Sequence, residues 1–276
     1  MGNIVWIASY PKSGNTWMRA FLGNYLANSE TPVDINGLHD TLLSEANSFH
    51  YQPFISAAKK TLDIDMMDLI RLRPRVHADI AQRAQGSIFV KTHNFLGEYR
   101  GCPLHNAQVT SGAIVVVRNP LDVVISMSNY FNYDIDHTIA FMADEMTGTP
   151  NEESNVPQII SSWSTHTKSW AEKKEDSVLV VRYEDMLANA QKTFRKVESF
   201  LKLKKDPKRL KRAIQFSSFE QLKRQESQTG FVEKFEHATA FFNKGQIGQW
   251  RAVLTQEQVL AIKKQHKPMM DFFKYS

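Results

Sequence analysis

The sequence predicts an α/β fold, a single domain in which helices flank a central parallel β-sheet. Four short apolar, β-branched segments occur at residues 4–10, 87–93, 112–118 and 177–183, and none alternates cleanly between apolar and polar residues. Continuous apolar runs of this length are typical of strands that are buried on both faces. Segments with helical periodicity lie between them, and strands that alternate with helices form βαβ units around a parallel sheet.

The helical periodicity is clearest after the first predicted strand, where residues 17–26 place apolar side chains at spacings of three and four. Pro120 stands where the first turn of a helix over residues 121–130 would begin. Further helices are expected at residues 156–174, 184–201 and 255–273.

The length and composition fit one large domain. The chain has 276 residues, of which 42% are hydrophobic and 23% charged, so it is long enough to bury a sizeable core. No linker rich in Pro, Gly or Ser divides it. We therefore expect one domain over residues 1–276.

The charge and cysteine content narrow the classes of partner. The net charge of +5 suits a small anionic ligand, and the basic segment at 202–212 lacks the interleaved aromatics of a nucleic-acid surface. The one cysteine, Cys102, excludes an intramolecular disulfide, and no Cys/His spacing indicates a metal site. No apolar run approaches the ~20 residues that span a bilayer, and no signal peptide is recognisable. We expect a cytoplasmic protein without a nucleic-acid partner; no motif indicates its oligomeric state.

Each predicted strand is followed by a polar cluster. These clusters are PKSGNTW after Tyr10, KTH after Val90, RNPLD after Val117 and RYED after Val181. In open parallel sheets, ligands bind outside the carboxyl ends of the strands. The sequence therefore predicts one ligand site to which all four clusters contribute.

The first cluster has the composition of a phosphate-binding loop. Gly14 permits a tight turn, Lys12 adds positive charge, and Ser13, Asn15 and Thr16 can cap the next helix or donate hydrogen bonds to an anion. The loop differs from the GxxxxGK[ST] loop of ATP and GTP binders, because no hydroxyl follows a Gly-Lys pair to hold magnesium. A metal-free anion site is expected, with an ordinary capped strand-to-helix turn as the alternative.

The motifs YPKSGNTW, KTH, VVVRNPLDVVISMSNYF, RYEDM and FFNKGQIGQW resemble, in order and spacing, those of sulfotransferases that use 3′-phosphoadenosine 5′-phosphosulfate (PAPS). The resemblance runs from residue 4 to about residue 250 and is strongest with cytosolic-type enzymes, including bacterial ones that act on small molecules and glycopeptides. It implies PAPS as co-substrate, no metal, and a hydroxyl-bearing acceptor. Two other classes stay open: a P-loop nucleotide-dependent kinase and a non-catalytic nucleotide-binding protein.

The resemblance also implies the residues of the donor site, including a phosphosulfate-binding loop similar to a P-loop. Asn243 stands where the family's RKG segment has arginine, and the glycines of that segment suit a mobile cover over the nucleotide. The implied donor-binding residues are Lys12, Ser13, Gly14, Asn15, Thr16 and Trp17 for the 5′-phosphosulfate end, Arg118, Ser126, Asn243, Lys244 and Gly245 for the 3′-phosphate end, and Tyr183, Ser217 and Phe219 for the adenine.

The implied catalytic residues are His93, Lys12 and Lys91. Histidine accepts a proton near neutral pH, so His93 is the candidate base for the acceptor hydroxyl. Lys12 would stabilise charge on the oxygen that leaves, and Lys91 would orient the phosphosulfate. His166 is a reserve base, although its helical spacing from Trp163 also fits core packing.

The sequence does not identify the acceptor, which we expect to contact residues 32–75, 95–107 and 133–157. Small molecules, glycopeptides, sugars and lipids all remain open. These stretches contain apolar side chains that could either line an apolar acceptor pocket or pack in the core: Tyr51, Phe54, Met66, Phe141 and Met142.

Overall fold

The computed structural model describes residues 2–172, 176–234, 237–238 and 240–275, apart from the side chains of Asp40 and Thr41. The strands in these ranges are β1 (Asn3–Ser9), β2 (Leu42–Ser44), β3 (Ser87–Thr92), β4 (Glu98–Tyr99), β5 (Cys102–Pro103), β6 (Thr110–Val117) and β7 (Val178–Arg182). The helices are α1 (Asn15–Ala27), α2 (Leu38–Thr41), α3 (Met66–Arg83), α4 (Pro120–Phe131), α5 (Ile135–Ala143), α6 (Trp163–Ala171), α7 (Tyr183–Ala188), α8 (Ala190–Phe200), α9 (Pro207–Phe216), α10 (Phe219–Thr229), α11 (Trp250–Val253) and α12 (Gln256–Phe272).

A five-stranded parallel sheet in the order β2-β3-β1-β6-β7 forms the centre of the fold. Within β1, Trp6 lies opposite Val90 of β3 and Ala113 of β6. The four predicted strands are confirmed as β1, β3, β6 and β7. The edge strand β2 was not predicted, because its three residues are too few to give a recognisable apolar run.

The alternation of β1 side chains between two cores explains why its sequence is apolar throughout. Ile4, Trp6 and Ala8 belong to the cluster formed with α3, α4, α6 and α12, whereas Val5 and Ile7 belong to the cluster formed with α1, α8 and α9. Each of these five residues is 7% exposed or less. Helices thus cover both faces of the sheet, as the α/β prediction requires.

Two helix predictions were wrong at their boundaries. The helix expected from residue 156 begins at Trp163, because the preceding segment is paired elsewhere: the Val156 N–H donates to the Ala46 carbonyl at 2.7 Å. The end predicted at residue 174 lies outside the described residues. The helix expected over 184–201 is divided into α7 and α8 at Asn189, whose side chain caps α8 by accepting from the Lys192 N–H.

Candidate active site

The four polar clusters that follow β1, β3, β6 and β7 meet at one edge of the sheet, around a cavity of about 1100 Å³. This confirms that the strand ends converge on one site. The predicted donor-site and catalytic residues that line the cavity are Lys12, Gly14, Asn15, Thr16, Trp17, Lys91, His93, Arg118, Ser126, Tyr183, Phe219, Asn243, Lys244 and Gly245.

Two predicted residues do not line this cavity. Ser217 is fully buried at the end of α9, where its hydroxyl donates to the carbonyls of Ala213 and Ile214 at 2.8 and 3.3 Å. The Ser217 side chain, which we expect to contact the adenine, therefore does not face the cavity, and the neighbouring Ser218 lines it instead. The Ser13 hydroxyl is also buried, and it has no hydrogen-bond partner among the described residues.

The loop after β1 is a tight turn in the left-handed backbone region. Lys12 has φ 61° and Gly14 has φ 108°. A Cβ atom at position 14 would lie 2.7 Å from Cδ2 of Tyr183, so both the backbone angle and the nearby ring require glycine here. The turn delivers the N-terminus of α1 to the cavity wall, where its first N–H groups have no partner within the helix.

The Asn15 side chain has a structural role that differs from the expected one. Its amide nitrogen donates to the Ile7 carbonyl at 2.8 Å and to the Ser9 hydroxyl at 3.3 Å. The side-chain donor that we had assigned to an anion thus ties the loop back to β1. A contribution of Asn15 to anion binding is left to its backbone N–H at the start of α1.

The surroundings of Lys12 disfavour the protonated, positively charged form of its side chain. Its Nζ lies 3.8 Å from the ring centroids of both Tyr130 and Phe241. Burial, and then repulsion from Lys91 and Arg118, lower the pKa of Lys12 to about 7. An anion in the cavity would offset both effects, so this arrangement favours anion binding.

Arg118 joins the first loop to the late glycine-containing segment. Its guanidinium donates to the carbonyls of Lys12 at 3.2 Å and Gln246 at 3.1 Å, and it stacks 4.4 Å from the centre of the Tyr183 ring. The side chain is 6% exposed, and its Nε has no partner among the described residues. Arg118 is thus held rigidly where the cavity reaches α4, the helix that carries Ser126.

The segment FFNKGQIGQW is held against the cavity by α4 and α10. Asp122 accepts from the N–H groups of Gly248 at 2.7 Å and Trp250 at 3.3 Å. A Cβ atom at Gly245, which has φ 61°, would overlap the Phe219 ring. Close backbone approach to an aromatic ring and a left-handed conformation both explain the glycine at this position.

Glu233 is a cavity residue that the sequence did not reveal. Its carboxylate accepts from Arg19 at 2.6 Å and from Lys91 at 3.0 Å, and its carbonyl accepts from the Tyr130 hydroxyl at 2.6 Å. Burial alone would raise the pKa of Glu233, but the two cations hold it far below its usual range. The residue has no motif around it, and its partner Arg19 is 214 positions away.

The His93 ring is neutral, and its hydrogen bonds define which nitrogen is protonated. Nδ1 lies 2.7 Å from the Ser9 carbonyl, which can only accept, so Nδ1 carries the proton and Nε2 keeps its lone pair. Burial, and then the nearby Lys91, lower the pKa of His93 to about 3. The backbone N–H of His93 donates to Oε1 of Gln158 at 3.0 Å. The lone pair on Nε2 makes the ring a candidate proton acceptor.

His166, which the sequence offered as a reserve base, does not line the cavity. It is 1% exposed and packs edge to face on Tyr10, with 5.6 Å between the ring centroids. Burial lowers the pKa of His166 to about 3. Trp163 on the same helix face is also fully buried, so core packing is the observed role of this face.

A fully buried network around Glu45 supports the end of β3. The Glu45 carboxylate accepts from Arg73 at 2.5 Å, Asn94 at 2.5 Å and Thr92 at 3.3 Å. Burial would raise the pKa of Glu45, but Arg73, and then the neighbouring His77 and His105, hold it at about 2. Because Thr92 and Asn94 flank His93 on both sides, this Glu45 network fixes the backbone that presents the histidine.

Among the residues that the structure describes, no three His, Cys, Asp or Glu side chains are grouped so that they could hold a metal ion. Within the same residues, every helix is too short or too polar to cross a membrane.

A model of the sulfotransferase domain matches residues 3–274, and the chain therefore belongs to the sulfotransferase family. Mouse sulfotransferase 1B1 is 26% identical over 270 residues, which cover 93% of this chain and 79% of that protein. Rat sulfotransferase 2A1 is 31% identical over 167 residues, which are 58% of this chain and 57% of the relative. The structure of mouse sulfotransferase SULT7A1 complexed with PAP covers 97% of this chain and 84% of its own at 18% identity, and a TM-score of 0.62 shows a shared fold.

Proposed function

We propose that this sulfotransferase moves a sulfuryl group from PAPS to a hydroxyl of an acceptor, with His93 as the general base. The observation that carries the proposal is the position of His93. A neutral imidazole with its lone pair on Nε2 lines the same cavity as Lys12, Lys91 and Arg118. A base beside a cluster of cations is what proton abstraction coupled to departure of an anion requires.

The proposed donor position follows from the anion-binding features of the cavity. The 5′-phosphosulfate lies on the first loop and the N-terminus of α1, near Lys12. The 3′-phosphate lies between Arg118 and Ser126, and the adenine lies near Trp17 and Tyr183, whose ring centroids are 5.5 Å apart. The shared fold with a PAP-bound sulfotransferase supports this position.

In the proposed reaction, the acceptor oxygen attacks the sulfur in line with the bond that breaks. His93 Nε2 takes the proton of the hydroxyl as the new O–S bond forms. The bond between sulfur and the bridging oxygen breaks, and the electron pair stays on the phosphate of 3′-phosphoadenosine 5′-phosphate (PAP). Lys12 stabilises that developing charge, and Lys91 orients the sulfuryl oxygens.

The decisive experiment uses PAPS labelled with ³⁵S, a panel of hydroxyl-bearing acceptors, and parallel reactions with ATP and magnesium. We expect the label to appear in an acceptor and PAP to bind with measurable heat in calorimetry. Turnover of ATP with magnesium would instead indicate a kinase. PAP binding without transfer to any acceptor, unchanged by His93→Ala, would indicate a non-catalytic nucleotide-binding protein.

The affinity for PAP is expected to fall as the pH rises above about 7. The free enzyme has Lys12 with a pKa of about 7, and a bound phosphate would raise it, so binding above that pH requires uptake of a proton. The expected loss is up to about tenfold in Kd per pH unit between the two pKa values. Calorimetry from pH 6.5 to 9, in buffers of different ionisation enthalpy, measures both the Kd and the protons taken up.

The matched control for this pH dependence is Lys12→Arg, which keeps a positive charge over the whole range. Its affinity for PAP should depend less on pH than that of the unmodified protein. Identical pH profiles for the two proteins would contradict an anion contact by Lys12.

Glu233→Gln is expected to bind PAP about tenfold more tightly than the unmodified protein. The Glu233 carboxylate neutralises Arg19 and Lys91, and it repels an anion that enters the cavity. The same substitution should lower the melting temperature without ligand, because the buried Arg19 and the partly buried Lys91 lose their counter-charge. Titration calorimetry and thermal melting with and without PAP measure the two effects.

The control for this variant is Glu220→Gln, which removes an exposed carboxylate that lines the same cavity. An equal gain in affinity for both variants would attribute the effect to net charge rather than to the Glu233 contacts. Weaker PAP binding by Glu233→Gln would contradict the prediction.

A further inference from the structure

The wall of the cavity beside His93 is built by two segments that pair with each other. Residues 44–47 begin at the last residue of β2 and run beside residues 147–160, with a bridge between Asn47 and Asn155. The second segment also contacts His93 directly, because the His93 backbone N–H donates to the side chain of Gln158 in this segment. Ser44 is paired with Lys91, two residues before His93. An acceptor whose hydroxyl meets His93 would therefore contact these two segments.

The side chains of this wall are polar. The cavity-lining residues that the two segments contribute include Ser44, Asn47, Thr149, Asn155 and Gln158. By contrast, the apolar residues that the sequence offered for an acceptor pocket lie elsewhere. Tyr51 and Met142 are at most 1% exposed, and Phe54 and Phe141 pack against the core cluster formed with α3, α4, α6 and α12.

Several donors in this wall are available to a ligand. Among the residues that the structure describes, none accepts a hydrogen bond from the Ser44 hydroxyl or from the amide NH₂ groups of Asn47 and Gln158. The acceptor oxygens of the two amides are used within the protein, by the Phe49 and His93 N–H groups respectively. These contacts orient the amides and leave their NH₂ groups for another partner.

The unpartnered donors discriminate between classes of acceptor. An apolar phenol or steroid would remove water from them without replacing its hydrogen bonds, and this opposes binding for each donor that becomes buried. A molecule with several hydroxyls would supply acceptors for all of them. A site built to hydrogen-bond its substrate rejects analogues that lack the matching groups far more strongly than an apolar pocket rejects a polar one.

We propose that the acceptor is a polyhydroxylated molecule of the carbohydrate type, held by Ser44, Asn47 and Gln158 while one of its hydroxyls meets His93. The rim of the cavity supports the same class. Phe131 and Tyr133 stack there, with centroids 5.7 Å apart, and such rings can pack on the C–H face of a sugar ring. This inference rests on the proposed transfer from PAPS.

The test compares acceptors that share a primary hydroxyl on a six-membered ring. With PAPS as donor, kcat/KM is measured for methyl glucoside, methyl galactoside and methyl mannoside, and for cyclohexylmethanol, which lacks the other oxygens. A simple phenol and a hydroxysteroid complete the panel. We expect at least one hexoside to exceed cyclohexylmethanol, the phenol and the steroid by 100-fold or more.

Two variants localise the preference to the wall. Ser44→Ala removes one donor, and Asn47→Ser removes the NH₂ group without adding charge and keeps a side-chain oxygen to accept from the Phe49 N–H. Each should lower kcat/KM for the preferred hexoside about tenfold and leave cyclohexylmethanol nearly unchanged. Ser227→Ala is the control, because that hydroxyl donates to the Arg224 carbonyl of its own helix, α10.

The outcomes separate this inference from the proposed function. Binding of PAP is measured by calorimetry for every variant. If PAP binds but the phenol, the steroid or cyclohexylmethanol reacts at least as fast as the hexosides, the inference is wrong. It is equally wrong if no hexoside reacts, or if the two wall variants behave like Ser227→Ala. If PAP does not bind, the proposed function itself fails.

Discussion

His93→Ala should reduce the rate of sulfuryl transfer by about 10²–10⁴-fold while changing the Kd for PAP by no more than a few fold. The loss is expected because the variant has no group at this position to take the hydroxyl proton. Nucleotide affinity should persist, because Lys12 and Arg118 carry the anion-binding charge. Single-turnover rates with saturating PAPS separate the chemical step from binding.

The pH dependence of the transfer rate also tests His93 as the base. The low pKa of His93, about 3, leaves the ring neutral and ready to accept a proton at neutral pH. Bound PAPS adds negative charge, which raises the pKa of the imidazole toward its ordinary value. Activity should therefore fall as the pH drops through the pKa of the donor complex, and His93→Ala should lose this acidic limb.

His266→Gln provides the matched control for His93→Ala. His266 is also a buried histidine, and burial lowers its pKa to about 4, but its ring contacts the Ser164 hydroxyl at 2.9 Å and does not line the cavity. This variant should melt at a lower temperature yet keep the acidic limb of the rate profile in the protein that stays folded. Equal losses of the chemical step in both variants would remove the case for His93 as the base.

The convergence of strand ends was predictable because it depends on local patterns. Apolar runs mark β1, β3, β6 and β7, and the parallel arrangement then places Lys12, His93, Arg118 and Tyr183 at one edge of the sheet. Gly14 was predictable for the same reason, since a tight turn after a strand has few alternatives to glycine.

The parts of the site that escaped prediction depend on partners distant in sequence. Glu233 is defined by Arg19 and Lys91, which are 214 and 142 positions away. Asn15 was assigned to an anion because its residue type suits that role, but the strand before it supplies two acceptors for its amide. No local pattern shows whether a polar side chain faces a ligand or its own backbone.

Glu45 illustrates the same limit and has the largest expected effect on stability. Glu45→Gln should lower the free energy of unfolding by about 3–5 kcal/mol, because it leaves Arg73 charged and buried without a counter-ion. Both side chains are 0% exposed, so solvent does not screen the loss. Chemical denaturation at pH 7 measures the difference. The control is Glu153→Gln, which removes an exposed ion pair with Lys60 and should have no measurable effect on stability.

The pH dependence of stability tests the origin of that difference. The pKa of Glu45 is lowered from 4.5 to about 2 in the folded protein, so its contribution is complete above about pH 4.5 and is lost as the pH falls toward 2. The gap between the unmodified protein and Glu45→Gln should therefore narrow through this window. Thr92→Val offers a milder test if Glu45→Gln does not fold. It keeps the shape of the side chain and removes a hydroxyl that contacts Glu45 and His105 at 3.3 Å and accepts from the Asn94 N–H at 3.1 Å.

The Glu45 network also links stability to catalysis through the residues on either side of His93. Thr92→Val should slow sulfuryl transfer by about tenfold with little change in the Kd for PAP, since a small displacement of a catalytic group is costly in rate. A variant that is less stable but transfers sulfuryl groups at the unmodified rate would show that the network supports the fold alone. Equal stability of the variant and the unmodified protein would show that the hydroxyl contributes nothing to holding β3.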